Sequence, residues 1–409
     1  MTNTINPAVN QDATCRDVSA DTHHRRAAIN PHDAEYHRVF TGIYVDGHDH
    51  DDRTGHGRRS LFGTQARFDI SDGTVPILTT RNIFTRGMIE ELLWFISGNS
   101  NSVALEEKGV NIWNPWALRQ EHLEKMVMEQ FPETPPEQLS EVVNHLKNEE
   151  MLREGTIGPM YGALWRNAPN GEVYTAFPKL AMVDYPCDKI SQWIKEYEVE
   201  KKAYAHAKEE CPSFESYCHF AYYRTVDQLN NLVVGLKQRP YSSRHCVTAW
   251  IPQYVPFETI TPQDNILLGK GALAACHAFF QCLVAPPKEE GGKKRLSLHL
   301  TIRSNDAAVG KCYNVPQYSI LLAMLAHVTD MEPHEFILSV GDDHLYLSHM
   351  ETTNPDLTVG IETQLKRESY APPKLWLNPY IRDLFVFTID DIKILDYQCH
   401  GRINYAIAE

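Results

Sequence analysis

The residue most able to do covalent chemistry is Cys276, in the segment LAACHAFFQCLV where a strand-like apolar run begins. A lone thiol in such a place is more often a small core hydrophobe than a nucleophile. Its neighbours in the sequence give it weight. Downstream lie RSNDAAVGKCYN, beginning at Arg303, and then GDDHLYLSH, beginning at Gly341. Arg-Ser-Asn-Asp directly after the apolar run LSLHLTI is hard to place in a core but suits an anion site at a strand end. Arginine offers a planar fork of donors matched to phosphate, and Ser304 adds a hydroxyl. The chemistry indicated is thiol attack on a small substrate held by its phosphate.

The elements that must position these residues read as a mixture. Arg59–Ile70 alternates like a strand with DGTVP as its turn, and Thr85–Ser97 reads as a buried helix stopped at Gly98. VDQLNNLVVGLK has helical spacing; HCVTAWI, HAFFQCLVA and RLSLHLTIRS read as strands. YSILLAMLAHVTD is an apolar helix ending near Met331. Strands and helices mix without regular βαβα alternation, so the fold class is α+β, a mixed sheet with surrounding helices. Residues 1–33 read as a flexible polar tail and 34–409 as a single catalytic domain. Within it, about 121–154 and about 184–223 are charged, helix-prone stretches that read as helical insertions with solvated faces. No internal repeat is visible.

Composition excludes several function classes. The hydrophobic fraction is 43% and the aromatic fraction 10%, values of a folded chain. No apolar run approaches the roughly 18 residues of a membrane span, and no secretory signal is expected. A formal charge of −14 argues against a nucleic-acid binder, which would show a basic face. Nine cysteines without regular spacing fit free thiols in a reducing, cytoplasmic setting (host cytoplasm, were the chain viral). No metal is expected: His23, His24, His48, His50 and His56 match no ligand spacing, and no CxxC is present.

Several segments occur together in a familiar order. GTIGPMYGALWR, the Cys276–His277 pair, RSND with Asn314, and GDDHLY resemble the motifs of the thymidylate synthase family. ELLWFISGNSN and NIWNPWA are similar to its folate-side segments, RTGHGRRSLFG to its N-terminal phosphate loop, and YQCHGRINYAIAE to its closing tail. The resemblance implies the family's fold, a homodimer with a shared phosphate site, dUMP as substrate and 5,10-methylenetetrahydrofolate as cosubstrate. It implies that Cys276 attacks carbon 6 of the pyrimidine, splitting one hard substitution into easier steps. A thiolate is needed, and Arg303 is the arginine placed to lower the thiol pKa. Arg53, Arg303 and Ser304 would hold the phosphate, joined by Arg244 from the partner subunit. His344 and Tyr346 would bond the sugar hydroxyl. Glu91 would manage protons through ordered water, Tyr161 would assist proton removal at carbon 5, and Asp306 would contact the pterin. Trp113, with Trp116 beside it, would pack on the folate side. Asn314 would select the base, since a carboxamide matches the carbonyl and N–H of uracil whereas an aspartate suits cytosine. Taken alone, Glu91 reads as an exposed helix residue, Trp113 and Trp116 as core aromatics, Tyr161 and Tyr346 as packing residues, and His277 as a satisfied polar group.

The sequence departs from the family at Ser243-Arg244, where the family has two consecutive arginines, and at Ile302, Ala275, Cys312-Tyr313 and the final Glu409. Arg239 or Arg81 could replace the missing arginine. These departures, with the large insertions, bear on the fate of the transferred carbon, which takes either hydride or water. Water access decides between them. A charged last residue and a changed base-side loop favour water, whereas Trp113 and Leu273 favour dryness. The balance tilts toward a deoxyuridylate hydroxymethyltransferase of phage type, yielding 5-hydroxymethyl-dUMP and tetrahydrofolate. Reductive methylation to dTMP and dihydrofolate is the alternative.

Overall fold

The computed structural model describes residues 30–51, 55–130, 132–133, 135–148, 154–169, 225–350 and 360–405. The reading of 184–223 as an insertion, Arg53, Glu409 and nearly all of the 1–33 tail lie outside these residues.

The chain's first helix, α1 (Pro31–Asp46), starts three residues ahead of Ala34 because Asn30 caps it. The Asn30 side chain accepts from the amides of His32 and Asp33, and Pro31 supplies the preset φ of a first helical turn. Tyr36, Val39, Phe40 and Ile43 recur at helical spacing and are buried. Two strands follow, β1 (His48–His50) and β2 (Arg58–Asp69), then α2 (Thr85–Ile96). Helix α2 ends where Gly98 takes φ +79, at a spot where a Cβ would lie 2.8 Å from the Arg166 side chain.

Short helices α3 (Val103–Glu106), α4 (Gln120–Gln130), α5 (Leu139–Asn148) and α6 (Gly162–Asn167) come next, with the strand pair β3 (Ala168–Pro169) and β4 (Thr225–Val226). Helices α4 and α5 bury Leu123, Val127, Leu139 and Val143, and Ser140 donates to Glu124 across them at 2.7 Å. Then come α7 (Gln228–Gln238), β5 (Cys246–Thr248), α8 (Pro262–Leu267), β6 (His277–Ala285) and β7 (Arg295–Asp306). The chain continues with α9 (Gly310–Val328), β8 (Glu332–Tyr346), α10 (Ile361–Lys366), β9 (Lys374–Leu377) and β10 (Ile392–Leu395).

Six strands form one sheet in the order β1-β2-β8-β7-β6-β5. Only β7 and β8 are parallel; every other neighbouring pair is antiparallel. A parallel pair needs a crossover, and α9 supplies it. The class is therefore α+β with a mixed sheet, as the sequence indicates. Leu296, Leu298, Leu300 and Ile302 of β7 alternate inward, and Phe336, Leu338 and Val340 of β8 join them. Helix α9 lies on this face and is buried on almost every side, which accounts for its apolar sequence. Tyr318 of α9 stacks with Phe336, and Phe336 with Phe68, carrying the core across to α1. No described helix is long and apolar enough to cross a membrane.

Two boundaries differ from the sequence reading. The strand read as ending at Ser304 runs on through Asn305 and Asp306, because the ladder to β8 continues as far as Asp306↔His344. HCVTAWI forms a strand only over Cys246–Thr248. The amides of Ala249 and Trp250 both donate to the Ala278 carbonyl, and that local doubling ends regular pairing.

The topology puts the chemistry at one edge. The C-terminal ends of β7 and β8 meet the N-terminal ends of their antiparallel neighbours β6 and β2. Arg303–Asp306, Asp342–Tyr346, Cys276 and Arg58 therefore lie together although they span nearly three hundred residues of chain.

Candidate active site

Cys276 immediately precedes β6, and its backbone carbonyl accepts the Arg303 amide at 3.0 Å. The Arg303 guanidinium folds back over the cysteine loop. Nε donates to the Ala275 carbonyl at 3.1 Å, and Nη2 to the Ala274 carbonyl at 2.8 Å and to Cys276 Sγ at 3.7 Å. From its other side the guanidinium lies 5.7 Å from the Trp250 ring. Burial pushes the Cys276 thiol above its ordinary pKa, while the Arg303 charge and a bond with the Tyr161 hydroxyl pull it down without cancelling that effect. The expected arginine is in place, but its pull is outweighed in the free protein.

Tyr161 sits behind the thiol. Its hydroxyl accepts the Cys276 amide at 3.0 Å, and its ring packs on Phe95, Trp113 and His277. The backbone here is strained: Tyr161 has φ +39, which a bulky residue adopts only when its surroundings compel it. One constraint is the next residue, Gly162, where a Cβ would come within 2.4 Å of the Phe95 carbonyl. Glycine there lets the segment lie directly on α2.

Helix α2 presents Glu91 to this wall. Trp113 Nε1 donates to one carboxylate oxygen at 2.8 Å, and Gln317 Nε2 donates to the other at 2.9 Å. Burial raises Glu91 to about 7, with Gln317 and then Trp113 opposing the rise. The exposed-helix reading of Glu91 is thus overturned; it is a half-buried acid, held by two neutral donors and able to exchange a proton near neutrality. Trp113 forms an aromatic wall with Trp94, Trp116 and Tyr161 at centroid distances of 6.1, 5.9 and 5.8 Å.

Asn314 enters from the first turns of α9. Its Nδ2 donates to Asn305 Oδ1 at 3.2 Å, and it also bonds His277. Burial lowers His277 to about 4, so this imidazole is neutral at physiological pH, with the Tyr318 hydroxyl 3.2 Å from its Nδ1. It is a satisfied polar group that carries no charge to the thiol.

The strand ends complete the site. Ser304 Oγ donates to Asp342 at 3.4 Å, and Arg58 pairs with the same carboxylate at 3.0 Å. Burial alone would raise Asp342, but bonds from His344 and Ser60 and the charge of Arg58 hold it well below the usual carboxylate range. The buried His344 ring meets Tyr346 edge-on at 5.2 Å. Asp306 Oδ1 accepts the amides of Ala308 and Val309, closing the turn before α9.

The structure thus brings together Cys276, Tyr161, Glu91, Trp113, Trp116, Arg303, Ser304, Asp306, Asn314, His344 and Tyr346. It does not bring in Arg244, which is exposed ahead of edge strand β5. Arg81 is engaged elsewhere, donating to the Ala308 carbonyl beneath the ring of Tyr405. Sequence reasoning misses Arg58, Asp342 and Gln317. Asp342 is visible inside GDDHLY, and Gln317 lies three residues after Asn314, the spacing that puts two side chains on one helix face.

A thiol under an arginine, beside an acid titrating near neutrality and a polar strand end, can add to an electrophilic carbon of a small anionic substrate; this is covalent group transfer. A family model described as thymidylate synthase matches residues 34–409. A thymidylate synthase of Mycoplasma mobile is 31% identical over 376 residues, covering 91% of this chain and 99% of that protein. One of Leuconostoc mesenteroides is 31% identical over 396 residues, covering 93% and 100%. The chain belongs to the thymidylate synthase family, whose members are one-carbon transferases that draw on methylenetetrahydrofolate.

Proposed function

We propose that this chain methylates dUMP to dTMP, by covalent addition of Cys276 to the uracil ring and reduction of the transferred carbon. The observation that carries this reading is the aromatic wall of Trp94, Trp113, Trp116 and Tyr161 beside Cys276, a lining suited to excluding water from a reactive carbon. The names of the relatives, both thymidylate synthases, agree with it. The departures that tilt the sequence toward a hydroxymethyl product carry less weight once placed. Cys312 is fully buried with its thiol on the Ala307 and Ala308 carbonyls, and Ile302 is a core residue facing α9.

In this reading Arg303 and Ser304 hold the phosphate, with Arg53, and His344 and Tyr346 hold the sugar. Asn314 pairs with the uracil edge, Glu91 exchanges the proton that accompanies enolate formation, and Tyr161 assists proton removal at carbon 5. The folate cosubstrate supplies the carbon and the hydride. The residues fit such a group: a flat ring system matches the Trp113–Trp116 wall, and Asp306 uses one carboxylate oxygen for its turn, leaving the other to accept from a pterin. A homodimer is supported by the sheet face opposite α9, where Phe279 and Leu283 are exposed in a row with Gln281. Arg244 would then complete the phosphate site of a second copy. The thiols of Cys246, Cys276, Cys282, Cys312 and Cys399 are free, which suits a cytoplasmic setting.

The test is incubation with dUMP and methylenetetrahydrofolate followed by mass analysis of the nucleotide. The expected result is dTMP with one dihydrofolate formed per turnover. A hydroxymethyl product without dihydrofolate absorbance would overturn the proposal. A second expectation concerns base choice: Asn314→Asp should move the dCMP-to-dUMP ratio of kcat/KM by at least about 100-fold, because a mismatched donor and acceptor leave buried groups unpaired. Steady-state assays with both nucleotides measure it, and unchanged selectivity would remove Asn314 from its role.

A further inference from the structure

Glu91 and Gln317 come from helices α2 and α9, more than two hundred residues apart in sequence. Gln317 is 1% exposed. Its Nε2 donates both to Glu91 Oε2 at 2.9 Å and to the Met88 carbonyl at 3.3 Å. Two acceptors flank that nitrogen, so the amide orientation is chosen by its partners. Trp113 holds the other oxygen of the same carboxylate, so Glu91 is gripped at both ends by neutral donors. No described lysine or arginine forms an ion pair with it. The remaining amide oxygen, Gln317 Oε1, is buried without a protein partner among the described residues. A buried amide satisfied on one side only is a poor stabilising device, which speaks against a merely structural reason for its presence.

We propose that Gln317 is a positioning residue for the reaction: it fixes the orientation of Glu91 and favours its ionised form for proton exchange at the pyrimidine. This rests on the proposed chemistry at the uracil ring. Gln317 lies one helical turn after Asn314, so a single turn of α9 carries both the group that meets the base and the group that sets the acid. Hydrogen bonds to a carboxylate favour the charged form. Removing one therefore moves the titration of Glu91 upward, beyond the near-neutral value that burial already imposes.

Two measurements on the full chain test this. In protein carrying carboxyl-13C glutamate, the Glu91 resonance is identified by its loss in Glu91→Gln, and its midpoint is followed with pH. Gln317→Met keeps the volume and removes the donor; it is expected to raise the midpoint by about one pH unit, the worth of one hydrogen bond to a charge. Gln317→Glu keeps the shape, adds like charge, and is expected to raise it further. The second readout is tritium release from [5-3H]dUMP with methylenetetrahydrofolate. Substitution at carbon 5 breaks that C–H bond and passes the proton to solvent whether the product is methyl or hydroxymethyl. The limb of its pH profile that Glu91→Gln abolishes should move with the midpoint in Gln317→Met. An unmoved midpoint, or a rate lowered equally at every pH, overturns the proposal, as does failure of both variants to fold. A wild-type chain that releases no tritium would instead overturn the proposed function, leaving the carboxyl titration as the judge of Gln317.

Discussion

Cys276→Ser is expected to reduce turnover by at least about 10⁴-fold, because a serine hydroxyl at neutral pH is a far weaker nucleophile than a thiol and no second nucleophile replaces it. The geometry makes the loss specific. Arg303 is held over Sγ by the carbonyls of Ala274 and Ala275, and Tyr161 holds the Cys276 amide, so a serine would occupy the same place without the same acidity. The pH dependence of the wild-type thiol follows from its surroundings. Burial raises its pKa above the ordinary value despite Arg303. The thiolate is therefore a small fraction near neutrality, growing about tenfold per pH unit until the pKa is reached. Alkylation of Cys276 by iodoacetamide, read by peptide mass analysis, should rise with that slope from neutral pH upward. Arg303→Met should slow it at every pH below the pKa, since the cation over the sulfur is gone. Substantial dTMP formation by Cys276→Ser would disprove the nucleophile, and a pH-independent alkylation rate would disprove the electrostatic account.

Lys311→Met is expected to cost about 3–5 kcal/mol of stability, the penalty for leaving a buried charge without its partner. Lys311 and Asp343 are 1% and 0% exposed, and Lys311 Nζ meets Asp343 Oδ2 at 2.5 Å. Thr64 donates to the same oxygen at 2.6 Å, so the pair joins the start of α9 to β8 and β2. Asp343 Oδ1 has no partner among the described residues. In Lys311→Met the carboxylate keeps one hydroxyl donor and no cation. Replacing the pair together, Lys311→Met with Asp343→Leu, removes both charges from the core and should restore most of the loss, because apolar packing often equals a buried ion pair. Denaturant titration of the two single variants and the double variant measures the coupling. Additive losses would mean that the pair contributes nothing as a pair. The pair also stands beside His344 and one turn before Asn314, so a destabilised junction should weaken dUMP binding as well.

Much of this protein is legible in its amino-acid order. Cys276, Arg303, Ser304, Asp306, Asn314, His344 and Tyr346 stand in short motifs because each motif is one end of a strand or the start of one helix. Local sequence therefore carries their mutual spacing. The α+β class is legible for a similar reason: alternation and helical spacing are properties of single elements. The state of each group is not legible. Glu91 reads as an exposed helix residue because its own helix shows nothing of Gln317 and Trp113, which reach it from other parts of the chain. The ion pair of Lys311 and Asp343, the bond of Arg58 to Asp342, and the removal of Arg81 to the Ala308 carbonyl are likewise long-range. The motifs mark Cys276 as the expected nucleophile, with Arg303 expected to lower its pKa; burial, which depends on everything packed around a side chain, decides that the thiol is nonetheless raised. Sequence by itself determined most of the groups that meet at the strand ends, though not Arg58 and Asp342. Only the tertiary structure decided their ionisation and orientation, because desolvation and hydrogen bonding are summed over neighbours brought together by folding.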